Sequence, residues 1–175
     1  VIYVLRCLVN MDIPLNQGCL DPCTLIIPEN SLINPSPFAA VCAGNGMTSQ
    51  RVTDCLFKAF GYTSATGGFM NGLNFGSGGL DKDGNMVKGF GYTETIGQGN
   101  CAGIIEKNGV RKGFNGFSGT QTNMTNTKIT DPEIFEQRYP VILNQYCIRK
   151  NSGGKGKWTG GDGLIREITF TAPVH

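Results

Sequence analysis

The residues best suited to chemistry form a polar run between Ser118 and Thr127. From residue 121 onward, six of its side chains are amides or hydroxyls: Gln121, Thr122, Asn123, Thr125, Asn126 and Thr127. These groups donate and accept hydrogen bonds, but they do not transfer protons near neutral pH. Such a run either forms an irregular surface loop or lines a polar pocket. The residue types alone favour the loop, and both interpretations stay open at this point.

Groups that transfer protons are sparse elsewhere. The chain has 13 carboxylates and a single histidine, His175, so we expect any general base to be a carboxylate. Asp21, Glu94 and Asp162 lie among glycine, asparagine and threonine, where the backbone can approach a ligand closely. Turn and capping roles are the simpler interpretation of all three. Glu94 is a weak catalytic candidate, and an outward-facing strand position explains it equally well.

The sequence indicates neither a nucleotide site nor a metal site. Gly156-Lys157 is followed by Trp158, and Asn151 stands where a phosphate-binding loop requires glycine. There is no G-x-S-x-G motif and no internal histidine for a nucleophile–base pair. With one histidine and seven scattered cysteines, a zinc site lacks ligands, and free thiols are favoured over disulfides.

Composition predicts one globular domain. The chain has 175 residues, of which 39% are hydrophobic and 16% charged, and its net charge is +2. This weak charge gives no support to nucleic-acid or membrane binding, and no apolar run reaches the roughly 18–20 residues of a membrane span. The chain starts inside an apolar segment and stops after a predicted strand. We therefore expect residues 1–175 to be a domain fragment, incomplete at both ends.

Three segments are predicted to be helical. Val1–Val9 is expected to be the end of a buried helix, although its β-branched residues also allow a strand. Gly44–Gly61 shows helical periodicity, with Thr48 or Ser49 as a cap and one apolar face. That face consists of Val52, Cys55, Leu56, Ala59 and Phe60. Asp131–Tyr139 begins with an Asp-Pro-Glu helix start and is ended by Pro140.

The predicted strands are short. They are Thr24–Pro28, Phe69–Phe75, Phe90–Ile96, Val141–Ile148 and Leu164–Thr171. Asp83-Gly84 is a hairpin turn signal in the long glycine-rich loop between the second and third. The sum is an α+β fold with short, mostly antiparallel strands, a few helices and long glycine-rich loops, forming part of a larger domain.

Several stretches resemble one family. They are I-P-L-N-Q-G-C-L-D-P (13–22), A-G-N-G-M-T-S-Q-R-V (43–52), G-Y-T-E-T-I (91–96), M-T-N-T-K-I-T-D-P-E-I-F-E-Q-R-Y-P-V (124–141) and S-G-G-K-G-K-W-T-G-G-D-G (152–163). In this order they resemble the B-type half of the hydantoinase/5-oxoprolinase family, and most of all the eukaryotic-type ATP-dependent 5-oxoprolinases.

The resemblance implies an amide hydrolase that opens the ring of 5-oxo-L-proline to give L-glutamate, coupled to ATP hydrolysis. It implies ATP and a divalent metal ion, with ATP bound by an A-type portion and an acidic/His metal region lying before Val1. We expect the fragment alone to be inactive. The partner is expected to be the A-type portion of the same polypeptide or a separate subunit, in a cytoplasmic homo-oligomer acting on a small molecule.

The resemblance also ranks the site residues. Asn123, Thr125 and Asn126 are expected to contribute a substrate-binding loop, with Arg51 and Glu94 as secondary candidates for contacting substrate or intermediate. Relatives commonly have histidines in this loop, as in H-x-H-M-T-N-T, where this chain has Gln121 and Asn123. An amide can replace a histidine that positions substrate, but not one that transfers protons or binds metal. For Arg51, an exposed helix position is the simpler interpretation.

Two alternatives remain open. One is the B-type subunit of a hydantoinase or of a ketone carboxylase, which shares the family but not the substrate. The other is a non-catalytic remnant that serves only as a subunit interface, and the loss of both loop histidines supports it.

Overall fold

The structure, a computed structural model, describes residues 1–9, 11–107 and 109–174, so His175 lies outside the described residues. Within them are three α-helices: α1 (Ile2–Leu8), α2 (Ser49–Ala59) and α3 (Pro132–Arg138). Six strands are present in chain order: β1 (Gly72–Leu80), β2 (Met86–Thr95), β3 (Gly103–Lys107), β4 (Val110–Phe114), β5 (Val141–Ile148) and β6 (Leu164–Phe170). They pair as three antiparallel hairpins, β1–β2, β3–β4 and β5–β6. This confirms the predicted α+β class.

The first segment is helical, as predicted, and its burial is narrower than predicted. In α1 only Val4 is fully buried, at 1% exposed, and the neighbouring Tyr3 ring lies edge-on to Phe57 of α2 with centroids 6.3 Å apart. A 3₁₀ turn at Gln17–Leu20 follows. None of the helices among the described residues is long and apolar enough to cross a membrane.

Helix α3 confirms the predicted start and end. The Asp131 Oδ1 atom accepts the backbone N–H of Glu133 at 3.0 Å, which satisfies a donor that the first helical turn leaves free. Proline occupies the first helical position. Tyr139 is extended, with φ −129°, because Pro140 disfavours helical geometry in the residue before it.

The β1–β2 hairpin is longer than the sequence predicts. The predicted strands pair, but the ladder continues through Gly76–Leu80, which the glycine content had placed in a loop. On the facing strand β2, position 89 must be glycine, because a Cβ on Gly89 would lie 1.7 Å from the Ser77 carbonyl oxygen. The turn falls at Asp81–Asn85, with Gly84 at φ +84°, which confirms the Asp-Gly signal.

The main core lies where α3 meets the β1–β2 and β5–β6 hairpins. Its buried members are Phe75, Tyr92, Phe135 and Val141. Phe135 is 0% exposed, and its ring centroid lies 4.9 Å from that of Tyr92, which lies 4.7 Å from that of Phe75. Burying one such aromatic ring stabilises the fold by about 1.5–3 kcal/mol. The core therefore joins helix α3 and the polar run before it to two hairpins.

The prediction for the buried face of α2 is wrong. The structure buries Gln50, Thr53, Asp54 and Phe57, while Phe60 of the predicted face is 58% exposed. Three of the buried side chains are polar, and Gln50 and Asp54 find polar partners outside the helix. The cap prediction is also wrong, because Thr48 makes no capping bond and Ser49 donates to Asn45 of a π turn at Gly44–Thr48.

The predicted strand Thr24–Pro28 is also wrong. The segment is irregular and pairs with no other described strand, and its apolar residues Leu25, Ile26 and Ile27 are 49%, 90% and 43% exposed. A strand needs a hydrogen-bonded neighbour, and the proline that ends this segment has no N–H to donate to a ladder.

Candidate functional site

Three segments that are distant in sequence meet at the polar run. The start of α2 brings Gln50, which is 0% exposed, against Thr122, which is 2% exposed. The Gln50 Nε2 atom donates to Thr122 Oγ1 at 3.2 Å, and its Oε1 atom accepts the Met124 backbone N–H at 3.4 Å. The third segment is the end of β2, which contributes Glu94 and Thr95.

Hydroxyls and amides then form a continuous chain, which we call the threonine network. Its members are Gln50, Thr95, Gln121, Thr122, Thr125 and Thr127. The Thr122 and Thr125 hydroxyl oxygens lie 2.8 Å apart, and the Thr125 hydroxyl donates to Gln121 Oε1 at 3.1 Å. The Thr125 hydroxyl has one proton, and it donates that proton to Gln121. The Thr122 hydroxyl accepts from Gln50 and keeps its own proton free, so Thr122 donates to Thr125.

Gln121 completes this network, because both the oxygen and the nitrogen of its side-chain amide are hydrogen-bonded. Its Oε1 atom also accepts from Thr95 Oγ1 at 3.2 Å, and its Nε2 atom donates to the Thr127 carbonyl at 2.8 Å. The Thr95 and Thr127 hydroxyls lie 2.9 Å apart. The Gln121 side chain therefore holds the two ends of the run together.

The predicted binding residues occupy different positions around the network. Thr125 is inside it, and its hydroxyl is already hydrogen-bonded. Asn123 is half-buried and Asn126 is exposed, and neither side-chain amide bonds to another described residue. Arg51 is exposed on α2, and its side chain lies over Gly68, where a Cβ would be 2.2 Å from the Arg51 Cζ atom. The structure thus leaves Asn123 and Asn126 available as hydrogen-bonding groups.

Glu94 lies in a buried ion pair beside the network. Its Oε2 atom accepts from Arg166 Nη1 at 2.7 Å and from the Tyr92 hydroxyl, and its Oε1 atom accepts from Thr130 Oγ1 at 2.6 Å and from the Thr130 N–H. The Arg166 and Glu94 side chains are 2% and 9% exposed. The outward-facing position considered for Glu94 is wrong.

Burial raises the pKa of the Glu94 carboxyl, but the hydrogen bonds from Thr130, Tyr92 and Arg166 outweigh it and hold that pKa below its ordinary value. Burial and the bond to Glu94 raise the pKa of Tyr92, so its phenol keeps its proton and donates. The Arg166 guanidinium also lies 4.8 Å from the centroid of the Phe135 ring, an attractive cation–π geometry. The cluster joins β2, β6 and Thr130, which lies two residues before α3.

Sequence reasoning missed Gln50 and Arg166. Gln50 lies inside the 43–52 motif, but it is not on the apolar face that helical periodicity predicts. Arg166 falls in phase with the partly buried Leu164 and Ile168 on β6. An arginine on the inward face of a strand requires a buried counter-charge, and this signal pairs it with a carboxylate.

The site does not fit the metal ion that the resemblance implies. The described residues contain no group of three or more His, Cys, Asp or Glu side chains that could hold a metal ion. Glu94, the carboxylate beside the network, already has its lone pairs occupied by protein donors. We therefore derive no chemical step through a metal ion in this part of the polypeptide.

A family model for hydantoinase B/oxoprolinase matches residues 1–175, and the chain belongs to this family.

Among its relatives is 5-oxoprolinase 1 of Arabidopsis thaliana, which is 53% identical over 174 residues covering 99% of this chain and 12% of the plant protein. The 5-oxoprolinase of Saccharomyces cerevisiae is 51% identical over 176 residues, covering 99% of this chain and 14% of its own length. A putative B-type subunit of a D-/L-hydantoinase from Pseudomonas sp. is 29% identical over 166 residues, covering 92% of this chain and 26% of its own length. The chain spans about an eighth of the two 5-oxoprolinases. No solved structure matches it.

Proposed function

We propose that this chain is part of an ATP-dependent 5-oxoprolinase, which hydrolyses 5-oxo-L-proline to L-glutamate. The observation that carries the proposal is the difference in identity between relatives: 53% and 51% for two proteins named 5-oxoprolinase, against 29% for the putative hydantoinase polypeptide. The described residues suit ligand binding and positioning, and proton transfer and ATP are assigned to the rest of the polypeptide.

The chemistry requires activation before hydrolysis. Water must add to the ring carbonyl and the C–N bond must break, with the nitrogen leaving as an amine. A lactam carbonyl is a poor electrophile because the nitrogen lone pair is delocalised into it. Phosphorylation of the carbonyl oxygen by ATP provides a better electrophile, which accounts for the coupling of ring opening to ATP hydrolysis.

In this region Asn123 and Asn126 are assigned to substrate hydrogen bonding, with Arg51 as an outer charged contact and Thr125 holding the loop. These two amides bond to no other described residue, and they match a ligand that offers both a ring N–H and a carbonyl oxygen. We assign Glu94 a positioning role, because a carboxylate with a lowered pKa and no free lone pair is a poor general base.

The test is 5-oxoproline-dependent release of ADP and glutamate by the full-length protein, with hydantoin and ketone substrates in parallel. Asn126→Ala should raise KM about tenfold, the cost of one lost hydrogen bond to the ligand, since this exposed side chain bonds to no other described residue. Lys128→Ala, an exposed change in the same loop, is the control. Turnover with hydantoins or ketones alone would instead identify a B-type polypeptide of those enzymes, and no turnover with any substrate would support the remnant.

A further inference from the structure

A cavity of about 520 Å³, which we call the glycine cavity, is lined by none of the residues of the threonine network. Its walls are the loop at 64–67, the loop at 98–102 and the segment 149–164, which connects β5 to β6. None of the binding residues predicted from the sequence lines it. Its volume lies in the range of small-molecule sites.

We propose that the glycine cavity binds an oxyanion, a carboxylate or a phosphoryl group carried by a small molecule. Arg149 and Lys155 line it, and no Asp or Glu is among its lining residues. Within the described part of the chain, neither cation forms an ion pair. A concave site with charges of a single sign concentrates ligands of the opposite sign.

Neutral donors complete the recognition. Gln98, Asn100 and Ser152 also line the cavity, and their side chains carry amide N–H and hydroxyl groups of the kind that bind oxyanions. Trp158 provides an aromatic wall, which suits a ligand that has an apolar ring beside its anionic group. The chemistry is therefore that of a compact, ring-bearing anion.

The walls of the cavity are held in place before any ligand arrives. A Cβ on Gly99 would lie 1.9 Å from the Gly161 carbonyl oxygen, so two loops touch backbone to backbone. The Gly161 N–H donates to the Asn100 carbonyl at 2.9 Å. The Asp162 carboxylate accepts the N–H groups of Gly153 at 2.8 Å and Asn151 at 3.1 Å, which fixes the turn carrying Lys155. A preorganised site loses less conformational freedom on binding.

The identity of the ligand rests on the proposed function, whereas oxyanion binding does not. 5-Oxo-L-proline carries a carboxylate on a five-membered ring, and its activated form carries a phosphoryl group as well. Both sources present the same chemistry to Arg149 and Lys155. They are separated by using two probes, 5-oxo-L-proline and inorganic phosphate.

The experiment is calorimetric titration of the full-length protein with each probe, for wild type, Arg149→Gln, Lys155→Gln and the double variant. The matched control is Lys150→Gln, an exposed cation that is next to Arg149 and does not line the cavity. Each single variant should weaken binding of at least one probe about tenfold, as expected for one charge-assisted hydrogen bond, and the control should stay within about twofold. Arg149→Lys, which keeps the charge, should lose less than Arg149→Gln.

Weakened binding of phosphate alone assigns the cavity to the phosphoryl group, and weakened binding of 5-oxoproline alone assigns it to the carboxylate. If the double variant binds both probes as the control does, the inference is overturned, even where turnover is normal and the proposed function stands. A wild type that binds neither probe also overturns it. If wild type shows no 5-oxoproline-dependent ADP release but the double variant loses phosphate binding, the cavity stands and the proposed function falls.

Discussion

Replacing Arg166 with methionine removes the counter-ion of the Glu94 carboxylate and leaves that carboxylate buried. The two charges are 2.7 Å apart, and their side chains are 2% and 9% exposed, so water cannot take the place of the guanidinium without opening the core. The substitution also removes the guanidinium group that lies over the Phe135 ring, while the methionine side chain fills much of the same volume.

The expected cost is large because the remaining group is charged. Breaking a buried ion pair by removing one partner costs about 3–5 kcal/mol, whereas replacing both partners is often close to neutral. Glu94→Gln should therefore also destabilise the fold, and the double variant Glu94→Gln/Arg166→Met should be less destabilised than the two single effects added together. The exposed pair Arg111–Glu106, 3.4 Å apart with side chains 65% and 61% exposed, provides the control, and Glu106→Gln should cost less than about 1 kcal/mol.

The assay is amide hydrogen exchange in the full-length protein, which reports the free energy of local opening in β2 and β6. A loss of 3–5 kcal/mol speeds exchange there by about a hundredfold to a few thousandfold. If Arg166→Met accelerates exchange no more than Glu106→Gln does, or if the single effects are simply additive, the assignment of a buried, mutually dependent pair is refuted.

Two further predictions concern the Glu94 carboxylate and the close contact between Gly99 and Gly161. Because the pKa of Glu94 is lowered in the folded state, its contribution to stability is present above its ordinary pKa of 4.5 and is lost as pH falls through the folded value. The difference in stability between wild type and Glu94→Gln, measured by urea unfolding, should therefore shrink below about pH 4.5, and a constant difference would contradict it. Gly99→Ala should lower the melting temperature, because its methyl group would meet the Gly161 carbonyl oxygen at 1.9 Å. Gly91→Ala, where a methyl group meets nothing within 4 Å, should not, and equal effects of the two changes would show that the loops separate freely.

Local chemistry determined the parts of this protein that depend only on neighbouring residues. The start of α3 follows from Asp131 and Pro132, because the cap and the proline act within one turn of the chain. The turn at Asp83-Gly84 follows from the positive φ that glycine tolerates. Strand β6 was predicted from its alternating residues. The order of the motifs identified the family for the same reason, since it is read along the chain.

The tertiary structure decided what depends on partners far away. Gln50 meets a threonine 72 positions further on, and Glu94 meets an arginine at the same separation, so neither polar residue could be assigned to the interior from its own segment. Periodicity predicts a buried apolar face for a helix, but three of the four residues that α2 buries are polar. Partners outside the helix bond the Gln50 amide and the Asp54 Oδ2 atom. The glycine cavity exists only where three loops meet. The polar run at 121–127 was thus visible in the sequence. The bond between Gln121 and Thr95 was not, because it requires the end of strand β2 to lie within hydrogen-bonding distance of the run.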